Sequence, residues 1–423
     1  MTDDTGQPDP RPVLAFVVHY LPPFRVHIQR RIAREIPELR LHTLASWSLR
    51  ENPWPGGAPA EVGLVTFPGA IEEREFNTHR AGAILADWRT GGALIDWVRR
   101  HRPACVVLCG YAFASHFRLL RHLRARRIPY MLWSDSNIRG DALASRVRGL
   151  AAGDPNPLRR AMLAAKRALK LRLVSPLVRG AAAVLPCGTR GAEYYARYGA
   201  APDRTFLCPI EPDYSLIESP APQALARVRD AFGLDPARRR LLGVARLVPL
   251  KCVQATIDAF AAIAGERPDW DLVIVGEGEL RAALEARVPP HLRSRVVFTG
   301  FVGDPALVAG VARQCHVLVH PGYFEAWGVV LLEAAAAGLA IVCSDVVGAA
   351  ADLVRDGENG RIVPPNDVPC LGAALREVTG DRLEPMRQAS RRVSAEFRRR
   401  ADPVAGLRAA LARARVLRAR ERA

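Results

Sequence analysis

Short, wholly apolar runs recur along this 423-residue chain, each followed by a longer stretch with helical spacing. That alternation limits the fold more than any other feature. Val13–Val18 is six consecutive apolar residues, the pattern of a strand buried on both faces. Leu64–Phe67, Cys105–Leu108, Tyr130–Trp133 and Ala181–Leu185 have the same character, with helical patterns such as Gly92–Arg100 and Phe117–Arg126 between them. A strand–helix–strand rhythm of this kind implies a parallel sheet covered by helices. The rhythm restarts at Leu241, where Leu241–Ala245, Leu272–Val275, Val296–Thr299, Val317–Val319 and Ala340–Cys343 read as strands. Val253–Ala264, Leu280–Ala286 and Pro305–Ala312 read as the helices between them. Pro209, Pro212, Pro220 and Pro222 crowd the junction between the two series, as in a linker. The chain is also too long for one ordinary core. It is therefore expected to form one α/β domain over residues 1–207, a second over 208–395, and a basic helix over 396–423.

Lys and Arg exceed Asp and Glu by 17, which favours an anionic partner: nucleic acid, anionic lipid or phosphorylated metabolites. The excess is carried by arginine beside abundant alanine, which a GC-rich genome also produces. Eight cysteines occur with no C-x-x-C pair, a pattern that suits reduced thiols better than a disulfide framework or a zinc site. The polar, acidic start Met1–Gly6 does not read as a signal peptide, and no apolar window is long enough for a membrane span. The expectation is a cytoplasmic, globular protein.

Chemistry is concentrated in one stretch of the second half. Glu325 and Glu333 stand eight positions apart, after the strand Val317–Val319 and around the start of a helix Val329–Ala337 that Gly338 stops. Glu325 then lies in the turn and Glu333 just over one turn into the helix. The unpaired N–H groups of the helix start attract anions. Two carboxylates there would repel a bare phosphate, but they suit a ligand that also offers hydroxyls, such as a sugar nucleotide. Arg246 and Lys251 follow the strand Leu241–Ala245, at the strand end where open α/β sheets bind ligands. They read either as a solvated pair or as a planar fork and a point charge for phosphate. Gly276 and Gly278 follow another strand, but Arg281 stands where a dinucleotide fingerprint needs its third glycine. Asp269-Trp270-Asp271 has metal-site spacing but precedes its strand, at the wrong end of the sheet. Asp356–Gly360 is turn chemistry.

Taken in order, R-x-x-x-x-K, V-G-E-G, E-x7-E with an internal glycine, and D-G-x-N-G resemble the nucleotide-sugar glycosyltransferases of family four over roughly residues 205–365. The resemblance implies the GT-B fold, with two Rossmann-like domains facing a cleft and a C-terminal helix returning to the first. It implies a retaining, metal-independent transfer with no cofactor, from a UDP- or GDP-sugar. Arg246 and Lys251 match the pair that meets the donor diphosphate, Glu325 the glutamate near the transferred sugar, and Glu333 the one that binds ribose hydroxyls. Gly328, Val329 and Val330 match the backbone donors to sugar or phosphate, and Phe301 and Val302 the residues that pack the base. Two family glycines are replaced here, by Ala245 and Cys252. The glycine-rich loop after the first strand is replaced by His19-Tyr20-Leu21-Pro22-Pro23-Phe24-Arg25.

In the first half, Asp135 follows a strand where many relatives carry a cleft-facing histidine, and reads either as a turn residue or as a partner of donor sugar or acceptor. Tyr111 is a candidate for the acceptor side, while His19 and His116 read as structural. Residues 157–179 form a basic helical pattern. Leu158, Met162, Ala165, Leu169 and Leu173 share one face, and Arg159, Lys166, Arg167 and Lys170 cluster on another. One reading packs the apolar face on the first domain. The other docks the helix on anionic lipid at the inner face of a membrane, bringing a lipid-linked acceptor to the cleft. The resulting expectation is a glycosyltransferase of hexosyl type, acting on a lipid-linked or cell-envelope glycan or a small metabolite. The rivals are a sugar-nucleotide epimerase of the same architecture and a basic nucleic-acid-binding protein. The latter lacks any helix-turn-helix, zinc spacing or aromatic–basic sheet motif.

Overall fold

The computed structural model of the protein describes residues 9–48, 59–68, 70, 81–111, 113–139 and 157–417. Among the described residues twelve strands form two six-stranded sheets, parallel throughout. The first holds β1 (Val13–Val18), β2 (Arg40–Ala45), β3 (Leu64–Thr66), β4 (Cys105–Cys109), β5 (Tyr130–Ser134) and β6 (Ala183–Pro186), in the order β3-β2-β1-β4-β5-β6. The second holds β7 (Arg239–Val244), β8 (Trp270–Val275), β9 (Val296–Gly300), β10 (Val317–His320), β11 (Ala340–Ser344) and β12 (Gly360–Val363), in the order β12-β11-β10-β7-β8-β9. Read from its own first strand, the second order repeats the first. Strand order therefore reverses at β1/β4 in one sheet and at β7/β10 in the other. These reversal points open the crevices where such sheets take ligands.

The apolar runs form strands because both faces are covered. Leu14, Phe16 and Val18 face the helix Pro23–Glu35, while Val13, Ala15 and Val17 face the helices Ala81–His101 and Ala114–Ala125. Each such side chain contributes roughly 1.5–3 kcal/mol on burial. Two strands carry no apolar run and escape the sequence pattern. β2 includes Arg40, His42 and Thr43, with Thr43 hydrogen-bonded to Gln29. β12 is only Gly360–Val363, and a Cβ at Gly360 would stand 1.8 Å from Ile341 O.

The lobes share one buried cluster that runs from Phe16 and Trp133 through Cys208 and Ile210 to Trp327 and Phe397. Two indoles hold the connecting segment: Trp133 Nε1 donates to Cys208 O at 2.7 Å and Trp327 Nε1 to Ile210 O at 2.8 Å. Pro222, one of the junction prolines, instead opens the helix Pro222–Phe232, whose first turn needs no N–H there. The C-terminal region is helical over Leu383–Arg400 and Pro403–Arg413, with Asp402 capping the second helix. That second helix returns to the first lobe, where Arg408 pairs with Glu38 and Arg31 meets Asp402 at 2.8 Å.

The helix Pro157–Arg179 forms as its spacing predicts, but it does not bury the expected face. Met162, Leu169 and Leu173 are exposed. Lys170 turns inward, 5.4 and 5.9 Å from the ring centroids of Tyr194 and Tyr198, and Leu171, Val174, Leu177 and Val178 pack against the first-lobe core. The Lys170 ammonium meets electron-rich ring faces on the neighbouring helix, a cation–π contact. The side chains of Leu158, Arg159, Lys166 and Arg167 lie outside the described residues. Among the described residues no helix is long and apolar enough to cross a membrane.

Candidate active site

The reversal-point strands of the second sheet deliver the main charged groups. β7 leads through Arg246 to a short turn ending at Lys251, and β10 ends at His320, four peptide bonds before Phe324. Lys251 Nζ lies 2.6 Å from Glu325 Oε2 and donates also to Phe324 O at 3.4 Å. His320 Nε2 approaches the same carboxylate oxygen at 3.2 Å, off the ideal hydrogen-bond direction. The three side chains are 14%, 22% and 3% exposed for Lys251, Glu325 and His320, so water screens them little. Burial alone would raise the Glu325 pKa. The neighbouring His320 and Lys251 outweigh it and hold the carboxyl down at about 2. At neutral pH this is a carboxylate with fixed direction.

Glycines shape the loops around this pair. Gly328 opens the helix Val329–Ala337 at φ +99, and a Cβ there would press on Val347 Cγ1 at 3.0 Å and Glu325 Cγ at 3.1 Å. Gly276 and Gly278 turn out to serve contact between loops. A Cβ on either would run into Ala245 O at 1.9 Å or Leu247 O at 2.5 Å. Cys252 stands in the left-handed region at φ +51, its thiol buried.

Other predicted residues fall around this centre. The N–H groups of Val329 and Val330, in the first helical turn, have no carbonyl four residues back to accept them. Both side chains are half-buried. Glu333 is one turn further along. Burial without a countercharge pushes its carboxyl up to about 7. Arg246 is exposed, and among the described residues its guanidinium has no hydrogen-bond or ion-pair partner. Phe301 is 48% exposed beyond β9, with Val302 half-buried beside it.

From the first lobe, Asp135 reaches the cleft. Its side chain is exposed to water. Desolvation within the cleft raises its pKa, Arg25 opposes that rise, and Glu325 adds to it, which places Asp135 within electrostatic reach of both. Arg25, three residues into the helix that follows β1, donates to Cys109 Sγ at 3.1 Å and lies 6.0 Å from the Trp133 ring centroid. His19 and His116 stack at 4.3 Å, and Ser46 Oγ lies between them, 3.2 Å from His19 Nδ1 and 3.3 Å from His116 Nε2. Burial keeps both neutral, His116 with a pKa of about 4. Tyr111 turns to Tyr194, the two hydroxyls being hydrogen-bonded. Asp271 is occupied by Arg238 at 2.8 Å at the start of β8, and Asn359 is buried, bonding Leu353 O and Arg355 N as a turn requires.

Sequence reasoning passed over Asn137, Arg25 and His320. His320 adjoins the glutamate motif and had that much signal. Asn137 had none. Its side-chain amide donates to Glu325 O at 2.9 Å and Ala326 O at 2.8 Å, across the gap between lobes. A separate hollow of about 630 Å³ between the turn Asp356–Glu358 and the helix Leu383–Arg400 sits at the opening end of β12, away from this cleft.

Residues 238–381, which contain Arg246, Lys251, Glu325 and Glu333, match the family described as Glycosyl transferases group 1. Over 157 residues the chain is 32% identical to the alpha-D-kanosaminyltransferase of Streptomyces kanamyceticus, covering 37% of this chain and 40% of that protein. It is 36% identical over 137 residues to an exopolysaccharide phosphotransferase of Streptomyces coelicolor, covering 32% of this chain and 14% of that protein. The chain thus spans less than half the length of these relatives. HepE of Anabaena, solved with UDP and glucose, superposes with a TM-score of 0.66 at 16% identity, over 96% of this chain and 100% of that one. The shared architecture is GT-B: two Rossmann-like lobes facing a cleft.

Proposed function

We propose that the chain moves a hexosyl group from a UDP- or GDP-sugar to an acceptor presented by the first lobe, as a retaining glycosyltransferase of family four. The observation that carries this reading is the Lys251–Glu325 pair, 2.6 Å apart at the reversal point of the second sheet, beside an open helix N-terminus. Lys251 and the unpaired Arg246 meet the donor diphosphate, and the N–H groups of Val329 and Val330 add partial positive charge. As the sugar leaves, negative charge builds on the nucleoside diphosphate, and groups already aimed there stabilise it without reorganising. Glu325 faces the transferred sugar as a fixed carboxylate. Glu333 takes the ribose hydroxyls, Phe301 and Val302 the base, and Asp135 a hydroxyl of donor sugar or acceptor. Tyr111, engaged by Tyr194, supports the acceptor-side wall. No metal ion or cofactor enters this scheme, so turnover should survive EDTA. The exposed apolar stripe Met162, Leu169 and Leu173 supports peripheral docking of residues 157–179 at the inner, cytoplasmic face of an anionic membrane, with a lipid-linked or envelope glycan as acceptor. Neither the relatives named nor the site supports the epimerase or nucleic-acid readings.

The test is a melting-temperature panel of nucleoside diphosphates and their sugars, because a ligand that binds the native state raises its stability by mass action. One nucleotide series should stabilise the protein, and folded Lys251→Ala and Glu325→Ala variants should lose transfer. Stabilisation by none of them, or full transfer by either variant, overturns the proposal.

A further inference from the structure

We propose that Asn137 is a positioning residue for sugar transfer, holding the backbone of Glu325 in register from the opposite lobe. This inference rests on the glycosyl-transfer reading and names a part of the machinery that lies outside the donor-binding half. Asn137 is 2% exposed. Its two amide hydrogens have two adjacent carbonyls to meet, Glu325 O at 2.9 Å and Ala326 O at 2.8 Å, with Val346 O further off at 3.4 Å. Only a planar donor with two N–H groups satisfies neighbouring carbonyls in this way. The second lobe shares the grip on Glu325 O through Gly348 N–H at 3.2 Å, where a Cβ at Gly348 would stand 2.1 Å from Ala326 O.

The segment carrying Asn137 is itself fixed. Ser134 Oγ accepts from Ser136 N at 3.0 Å and donates to Ser136 Oγ at 2.8 Å, forming a tight turn at the end of β5. Residue 135 then enters the cleft while residue 137 meets the Glu325 peptide. Lys251 and His320 hold the Glu325 carboxylate, and Asn137 holds the chain that carries it. An error of about 1 Å in a reacting group can cost about a hundredfold in rate, so loss of this grip is expected to appear in kcat. Thr189 makes a comparable contact between lobes, Oγ1 to Asp352 Oδ1 at 2.7 Å, to a residue other than the Glu325 loop. It separates positioning from simple lobe adhesion.

The experiment measures nucleoside diphosphate release from the nucleotide-sugar that stabilises the wild type, with Asn137→Ala, Asn137→Ser and Thr189→Val compared. In the folded protein Asn137→Ala should lower kcat at least tenfold with donor KM and nucleoside diphosphate affinity changed little, while the melting temperature falls by a few degrees as two buried carbonyls lose their donor. Asn137→Ser, which restores one donor, should recover part of the rate, and Thr189→Val should keep the wild-type kcat. An unchanged kcat in Asn137→Ala overturns the inference. So does an equal loss in Thr189→Val, or a loss matched by weakened nucleotide binding. If the wild type neither binds nor turns over any nucleotide-sugar, the glycosyl-transfer reading falls first, and this inference with it.

Discussion

Replacing Glu325 by Gln removes one charge while keeping the shape, and the structure sets the size of the effect. Glu325 titrates at about 2 in place of the ordinary 4.5. At about 1.4 kcal/mol per unit, the folded state favours its ionised form by roughly 3 kcal/mol. The folded value is depressed, so this stability is fully present above pH 4.5 and is lost as the pH falls towards 2. By pH 3 only about half of it should remain. Glu325→Gln should therefore be less stable than wild type by up to roughly 3 kcal/mol at pH 7, with Lys251 left beside a neutral amide. The gap should narrow by about half at pH 3. Urea unfolding of both proteins at pH 7, 5, 4 and 3 measures it. The same change releases Lys251 for the diphosphate, so nucleoside diphosphate affinity should hold or rise while transfer is lost. A stability gap that stays constant across this pH range would refute the account of the pair, as would weakened nucleotide binding.

Glu333, pushed up to about 7 by burial, is half ionised near neutrality. If, as proposed, its ionised form accepts the ribose hydroxyls, nucleoside diphosphate affinity should rise roughly tenfold from pH 6 to pH 8. Glu333→Gln should flatten that part of the calorimetric profile. Because this folded value is raised, the group's stabilising effect on the free protein is complete below pH 4.5 and disappears as the pH passes 7. Gly328→Ala should destabilise by about 1–3 kcal/mol and depress transfer, since a Cβ at φ +99 meets both Val347 and the Glu325 side chain. Melting temperature and turnover check both effects. Co-sedimentation with phosphatidylglycerol vesicles should exceed that with phosphatidylcholine, and Leu169→Ser with Leu173→Ser should weaken it roughly tenfold. Equal recovery with both lipids would remove the membrane reading.

Strands with continuous apolar runs were legible because a parallel sheet covered on both sides gives a polar side chain no place without a partner. β2 was not, since its polar residues are satisfied by partners far away in sequence, as Thr43 is by Gln29. The helix Pro157–Arg179 was legible as a helix, yet its rotation was not. Periodicity fixes which residues share a face, but which face turns inward depends on the partner surface, where Lys170 lies against Tyr194 and Tyr198. Arg246, Lys251 and Glu325 stood out as candidates because they follow strand ends, and Glu333 because it stands eight positions on, near a helix start.

The sequence by itself determined the repeated strand–helix order, the turns at Gly328 and Gly338, and the charged groups placed beyond β7 and β10. These are local matters, governed by backbone freedom, side-chain period and the end of a strand at which a residue falls. Only the tertiary structure decided that Lys251 and Glu325 share one contact, that His320 joins them, and that Asn137 reaches across from the other lobe. Those outcomes depend on how two sheets are set against each other. Residues 188 positions apart, such as Asn137 and Glu325, carry no sign of that meeting in their own neighbourhoods.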